Sequence, residues 1–449
     1  MRIPVTKPLF AWDCLDDSPS LQVIRELLEL IPDGPLLEAL RDGRGKGRDD
    51  YPVHVCWGVV LLTIILRHPT MEGCLAELRR NAGLRALIGL DSEGAVPKKW
   101  TMSRSLDLLG EEPCLTLLRQ AFDGLVRRLG QAVPDLGRDS AGDATYLNAR
   151  PKDKAALKKE LQTGLPQPSG GRKEYTDEDG QVVEVLEWFG FKLHLVVDVK
   201  HEVALGYRIT SASAGDGETL PAVLQQAQAN LPEGRIKTLA YDKAADDEDT
   251  HARLKAARIK PLIQNRSLWK EEPERLLPGA TGRTNIVYDE AGTIFCYDKV
   301  SDPPVRHPMT YMGHESNRGT LKYRCPACYG GWRCPSAQRC NGESSYGMTV
   351  RVKQEIDLRR FPPIPRQTKE FERLYKGRTA VERVNARLKI FWGADDGNIT
   401  GAQRFHAFVG VVLVVHAAFA TLLARAPRWE GTLCQTRLSP IQKALRGGT

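Results

Sequence analysis

The amino-acid sequence predicts an α/β protein: a mixed sheet flanked by helices, preceded by a small helical domain and interrupted by a Cys-rich insertion. Three observations carry this. Apolar residues in the first 130 positions recur at helical spacing. From about residue 137 the period shortens to two, with Phe191, Leu193, Leu195 and Val197 alternating with Lys192, His194 and Val196. The stretch 266–366 then loses both rhythms and is rich in Pro, Gly and Cys.

Each element follows from its own signal. Within 1–130, helices are expected over Leu21–Leu30 and Leu36–Leu40, separated by Pro32-Asp33-Gly34-Pro35, then over Tyr51–Arg67, Met71–Asn81 and Leu106–Leu129. Lys98, Lys99 and Arg104 around Trp100 suit DNA phosphates or an ordinary surface. Residues 137–265 read as strands Gly142–Ala149, Phe191–Val197 and Val203–Ser211, helix Glu218–Asn230, strand Ile236–Tyr241, helix Asp247–Arg258 and strand Ile259–Gln264. A meander followed by βαβ crossovers builds a mixed sheet with helices on its faces. Residues 266–366 offer only short strand candidates, Thr293–Tyr297 and Gly347–Val352. Residues 367–426 return to helix, over Thr368–Phe391 and Gly401–Ala426, and 427–449 form a basic tail.

Composition narrows the class. With 449 residues and 41% hydrophobic content, the chain has length for two or three domains with ample core. The net charge of +8 permits a nucleic-acid partner without demanding one. Basic residues gather in 149–175, seven against three acids, and in 421–449, five against one. Both stretches suit phosphates or a solvated loop and tail. Met1-Arg2-Ile3-Pro4 lacks the charged-then-apolar pattern of a secretory leader, and ten cysteines in a chain of this length argue against a disulfide framework. Phe405–Ala424 is long enough to span a bilayer, but His406, His416 and its neighbours favour a buried core helix, so no membrane partner is expected.

The chemistry concentrates in three acids. Asp143 lies in the first strand and Asp242 ends the fourth. Neighbouring strands run about 5 Å apart, so two such carboxylates can point into one site. A third acid from a nearby helix completes a hard oxygen pocket suited to Mg²⁺ or Mn²⁺. Two such ions, about 4 Å apart, serve phosphoryl transfer. On 368–391, Tyr375, Arg378, Glu382 and Lys389 are spaced by three, four and seven, which sets them on one helical face. The plain alternative is an exposed face with an Arg378–Glu382 ion pair.

These residues carry a resemblance. Tyr375-x2-Arg378-x3-Glu382-x6-Lys389 is similar to the signature of bacterial insertion-sequence DDE transposases. Asp143-Ala144-Thr145 resembles the family's first-strand motif, Gly190-Phe191-Lys192-Leu193-His194 its Gly-x-Lys-x-His strand, and Leu239-Ala240-Tyr241-Asp242 the strand bearing its second acid. The resemblance covers roughly residues 50–425. It implies an RNase H-like fold, metal-dependent cleavage at transposon ends and strand transfer into target DNA, with Asp143, Asp242 and Glu382 as catalytic metal ligands. It implies that Tyr375, Arg378 and Lys389 contact double-stranded DNA, and that the enzyme works as a homodimer on DNA in the bacterial cytoplasm, at the nucleoid. Two departures matter. Where the family often has Gly-Tyr after the second acid, this chain has Lys243-Ala244-Ala245-Asp246-Asp247, which makes Asp246 a competitor. Asp139 competes in the same way with Asp143. A catalytically silent or repurposed zinc-containing DNA-binding protein, and an RNase H-like nuclease without strand transfer, stand as alternatives.

Cys325, Cys328, Cys334 and Cys340 follow the spacing C-x2-C-x5-C-x5-C. Four thiolates suit a structural tetrahedral Zn²⁺ site. Their Gly/Pro-rich surroundings show no core of their own, and free thiols are the alternative.

Overall fold

The computed structural model describes residues 19–45, 51–150, 163–177, 181–269, 273–279, 285–396, 399–426 and 431–434. The basic run 151–162 and most of the tail 427–449 lie outside the described residues.

Helices α1 (Pro19–Leu30), α2 (Gly34–Arg44), α3 (Val53–Ile65), α4 (Met71–Arg80), α5 (Ala82–Leu87), α6 (Lys99–Leu109) and α7 (Cys114–Ala132) come first. Strands β1 (Asp139–Asn148), β2 (Ser169–Thr176), β3 (Val182–Asp198) and β4 (Ala204–Ser211) follow, then α8 (Asp216–Asn230), β5 (Thr238–Tyr241), α9 (Glu248–Ala256) and β6 (Lys260–Ile263). Next are β7 (Glu274–Leu276), β8 (Ile286–Asp289), β9 (Ile294–Tyr297), β10 (Arg306–Pro308), β11 (Thr310–Glu315), β12 (Thr320–Arg324), α10 (Pro326–Tyr329), α11 (Ala337–Asn341) and β13 (Thr349–Lys353). Helices α12 (Lys369–Tyr375), α13 (Thr379–Trp392) and α14 (Ala402–Arg425) close the order. The result is a mixed α/β protein whose chain divides into two compact units.

The first unit comprises residues 1–137, 143–235 and 380–449. Its centre is α14, packed by α7, α6, α3, α1 and β4. This helix is long and apolar enough to cross a membrane, but 89% of that window is buried within the fold, as a core helix requires. Phe405 on α14 stacks on Phe191 of β3 with ring centres 4.5 Å apart. Strands run in the order β2-β3-β1, with β4 antiparallel to β3 and α8 covering β4. The single helix expected over Leu106–Leu129 is two helices, because the chain turns at Gly110. A Cβ there would meet the Gln403 backbone at 2.6 Å, so α14 approaches only where glycine leaves room. Strand β2 was not legible in the alternation, and it pairs along the whole outer half of β3.

The second unit comprises residues 138–142 and 236–379. The first residues of β1 pair in parallel with β5, and β5 pairs in parallel with β6. The segment after β6 carries two antiparallel sheets, β10-β9-β8-β7 and β11-β12-β13. It is not the coreless loop its composition suggests. Ile286, Ile294, Leu321, Tyr323, Val352 and Phe361 pack into one apolar cluster that includes Cys325.

Candidate functional site

In the first unit, β1 delivers Asp143 half-buried, with the Ala144 N–H donating to its Oδ1 at 2.9 Å. Helix α13 presents Glu382 exposed in its first turn and buries Val381, Val384, Leu388 and Trp392 on its inner side. Trp392 stacks on Phe419 of α14 at 5.7 Å, which fixes the end of the helix. Its flank is fixed by charge: Arg383 donates to Glu202 at 2.5 Å, and Arg387 pairs with the same carboxylate. Glu202 holds the left-handed backbone, with φ of 52°, at the turn between β3 and β4. Lys389 leaves α13 towards β1, its Nζ 3.4 Å from the centre of the Tyr146 ring and 3.7 Å from Asp395. Asp395 also accepts the Asn148 N–H. Burial pulls the Lys389 ammonium below its usual range, and Asp395 opposes that shift. The strand of Asp143 and the helix of Glu382 are therefore tied together through Lys389, Tyr146 and Asp395.

In the second unit, Asp242 directly follows β5 and caps a 3₁₀ turn, Lys243–Ala245, accepting the Lys243 N–H at 2.6 Å. Tyr375 closes α12, stacked on Phe371 at 5.5 Å. Arg378 ends a 3₁₀ turn, Lys376–Arg378, that packs against β5. This corrects the single helical face expected for Tyr375, Arg378, Glu382 and Lys389. The run 368–391 is helix, 3₁₀ turn, helix, and Gly377 sits in the break. A 3₁₀ turn advances fewer residues per turn, so the first two residues do not share the regular α-helical spacing of the last two.

The competing acids are spent elsewhere. Asp139 begins β1 and accepts the Thr238 hydroxyl at 2.7 Å. Asp246 is fully buried and holds Arg359 at 2.7 Å, Arg366 at 2.9 Å and His251 at 3.0 Å, with the Arg266 N–H at 2.9 Å. Burial alone would raise its carboxyl. The His251, Arg366, Arg266 and Arg359 contacts outweigh burial and hold it below the ordinary value. On β3, buried His194 meets the Thr210 hydroxyl at 2.8 Å, and Lys192 pairs with Asp216 at 3.0 Å.

Cys325, Cys328, Cys334 and Cys340 all lie in the second unit. Burial raises the Cys328 thiol, and Cys325 adds to that through its charge and a hydrogen bond. Burial also raises Cys334, which Cys325 and Cys340 reach electrostatically. Among the described residues, no group of three or more His, Cys, Asp or Glu side chains is arranged as a ready cation cage. Neither the three acids nor the four thiols stand preassembled as ligands.

Sequence reasoning missed Asp395, Glu202, Arg383 and Arg387, and the Arg359–Arg366 pair. None belongs to a motif, and each finds its partner far away in sequence.

A family model described as a transposase DDE domain matches residues 143–417. It begins at Asp143 and spans Asp242 and Glu382. A second, described as a transposase domain (DUF772), matches residues 13–107 in the helical N-terminal part. No curated protein matches the chain. The first match covers more than half of the sequence, and the chain belongs to the DDE transposases.

Proposed function

We propose that this transposase cleaves DNA at transposon ends and joins the freed 3′ ends to target DNA through Asp143, Asp242 and Glu382, within an RNase H-like core. The observation that supports this most is a register. Ala141 is paired with Ala240 in parallel strands; Asp143 comes two residues later within β1, and Asp242 two residues later, directly after β5. In parallel sheets, ligands bind beyond the carboxyl ends of the paired strands; Asp143 follows the part of β1 that pairs with β5, and Asp242 follows β5. Carboxylate oxygens on β1, directly after β5 and on α13 suit Mg²⁺ or Mn²⁺. Divalent cations held there would activate the attacking oxygen and stabilise the leaving one.

The chain's own groups do the remaining work. Lys389 and Arg378 bind end-proximal phosphates, and Tyr375 orients the strand beside them. Lys389 exchanges Asp395 for phosphate when DNA enters, because a phosphate oxygen accepts the same charge-assisted hydrogen bond from the ammonium. Each protomer handles one end of a paired complex at the nucleoid.

Cleavage and joining of labelled end duplexes test this. Asp143→Asn, Asp242→Asn and Glu382→Gln each lower cleavage by about a thousandfold or more while end binding persists, as loss of an essential electrostatic group does. Cleavage near the wild-type rate in any one of them removes that residue from the site. Cleavage without joining by the wild type makes the protein a nuclease.

Cys325, Cys328, Cys334 and Cys340 serve as ligands of a structural zinc within the segment 266–366. The spacing C-x2-C-x5-C-x5-C and four sulfur donors support this reading. Elemental analysis of the purified protein gives about one zinc per chain. A chain free of zinc yet equally stable makes them free thiols.

A further inference from the structure

The Asp395 carboxylate is held as a phosphate would be. Its two oxygens face two different donors: Oδ1 accepts the Asn148 N–H, and Oδ2 lies 3.7 Å from the Lys389 ammonium. Backbone N–H groups and lysine side chains are both common phosphate donors. These two come from β1 and α13, the elements that carry Asp143 and Glu382. The Lys389 and Asp395 side chains are only 15% and 16% exposed. A cation so far removed from water needs a counter-charge, and Asp395 supplies it.

The turn itself does not call for a carboxylate. Asp395 stands three residues past the end of α13, where the helix dipole disfavours negative charge. Asp396 follows it; partial burial and the charge of Asp395 raise the Asp396 carboxyl, and Arg67 opposes them. Other groups make the turn. Gly393 takes the left-handed conformation with φ of 65°, and the Gly393 and Ala394 N–H groups return to the carbonyls of Lys389 and Leu388 at 3.1 and 3.0 Å. An asparagine side chain would accept the Asn148 N–H as well as aspartate does. What only the carboxylate adds is charge opposite Lys389, at a separation long for a hydrogen bond.

We propose that the Lys389 ammonium and the Asn148 N–H form one subsite for a DNA backbone phosphate, and that Asp395 fills it when DNA is absent. The inference rests on the reading of Lys389 as a DNA contact. It adds a second donor, a backbone amide that no side-chain motif discloses, and an internal competitor that lowers affinity for every duplex.

Fluorescence anisotropy of the full chain on a labelled end duplex, over a range of salt, tests it as a double-mutant cycle. Asp395→Asn tightens binding by at least about fivefold, because no charge-assisted contact has to be given up. Its log–log salt slope steepens by about one. Lys389→Met weakens binding, and in that background Asp395→Asn shifts affinity by less than about twofold. Asp396→Asn, which removes the same charge one residue away, also shifts it by less than about twofold. Asp395→Asn melts below the wild type on its own, since a mostly buried ammonium loses its partner, and saturating duplex closes the gap. Hydrogen exchange reads the second donor: in Asp395→Ala the Asn148 amide exchanges freely and becomes protected once duplex binds. An Asp395→Asn variant that binds more weakly than the wild type, or gains equally in the Lys389→Met background, overturns the proposal and leaves Lys389 as a DNA contact. An Asn148 amide that stays unprotected with duplex bound overturns the two-donor subsite. Unchanged binding by Lys389→Met alone defeats the underlying reading, and the proposal with it.

Discussion

Asp242 and Asp246 stand four residues apart and have opposite fates. The first stands half-exposed just past its strand; the second is buried under two guanidinium groups and an imidazole. Sequence alone left them as competitors, because Arg359 and Arg366 lie 113 and 120 residues away from Asp246. No local pattern announces a partner at that range. Asp246→Asn strands two buried cations without a counter-charge and costs about 3–5 kcal/mol of stability. Urea unfolding measures it. A loss below about 1 kcal/mol contradicts a structural role for the cluster.

Helix α13 is the element that decides where Glu382 stands. Its inner face is read easily from Val381, Val384, Leu388 and Trp392, which recur at helical spacing. Its flank is not, because Glu202 reaches it from a turn 181 residues earlier than Arg383. Arg387→Met keeps the stem and deletes the charge, leaving Glu202 with the half-exposed Arg383 alone. The expected loss is about 1–3 kcal/mol, the usual cost of a broken charge-assisted bond, with slower cleavage and little change in DNA binding. Thermal unfolding and the end-cleavage assay check both; wild-type cleavage would show that the flank does not position Glu382. The 3₁₀ break before α13 had one visible signal, Gly377, and strong helix formers on either side hid it. Strand β2 was obscured for another reason. It opens with Ser169-Gly170-Gly171, which reads as a loop, and lacks an apolar alternation of its own.

Across the whole molecule, long elements were legible and short ones were not. The seventeen-residue β3 and the 24-residue α14 announce themselves by period and length. Strands β7 to β13, three to six residues each, carry too few residues to fix a period, so a segment with its own core read as a loop. Three histidines, His194 and His416 buried and His406 half-buried, give the molecule a common acid response. Burial lowers His194 and His406 to about 4 and His416 to about 3; Asp216 opposes the shift at His194. His416 accepts the Ala204 N–H at 3.1 Å, which requires the neutral ring. Folded values below the unfolded one mean that stability is complete above about pH 6.5 and lost as pH falls towards 4. The loss is on the order of 2 kcal/mol per histidine by pH 5. Melting temperature should drop steadily from pH 7 to pH 5, before most carboxylates titrate; a flat profile would disprove the shifts. The arginines that neutralise Asp246 also bear on ancestry and engineering. Arg359 falls inside the segment that separates β6 from α12, and Arg366 at its end. Trimming that segment strips a buried acid of its guanidinium partners, so a shortened variant of this chain keeps its stability only if Asp246 is replaced by a neutral residue as well.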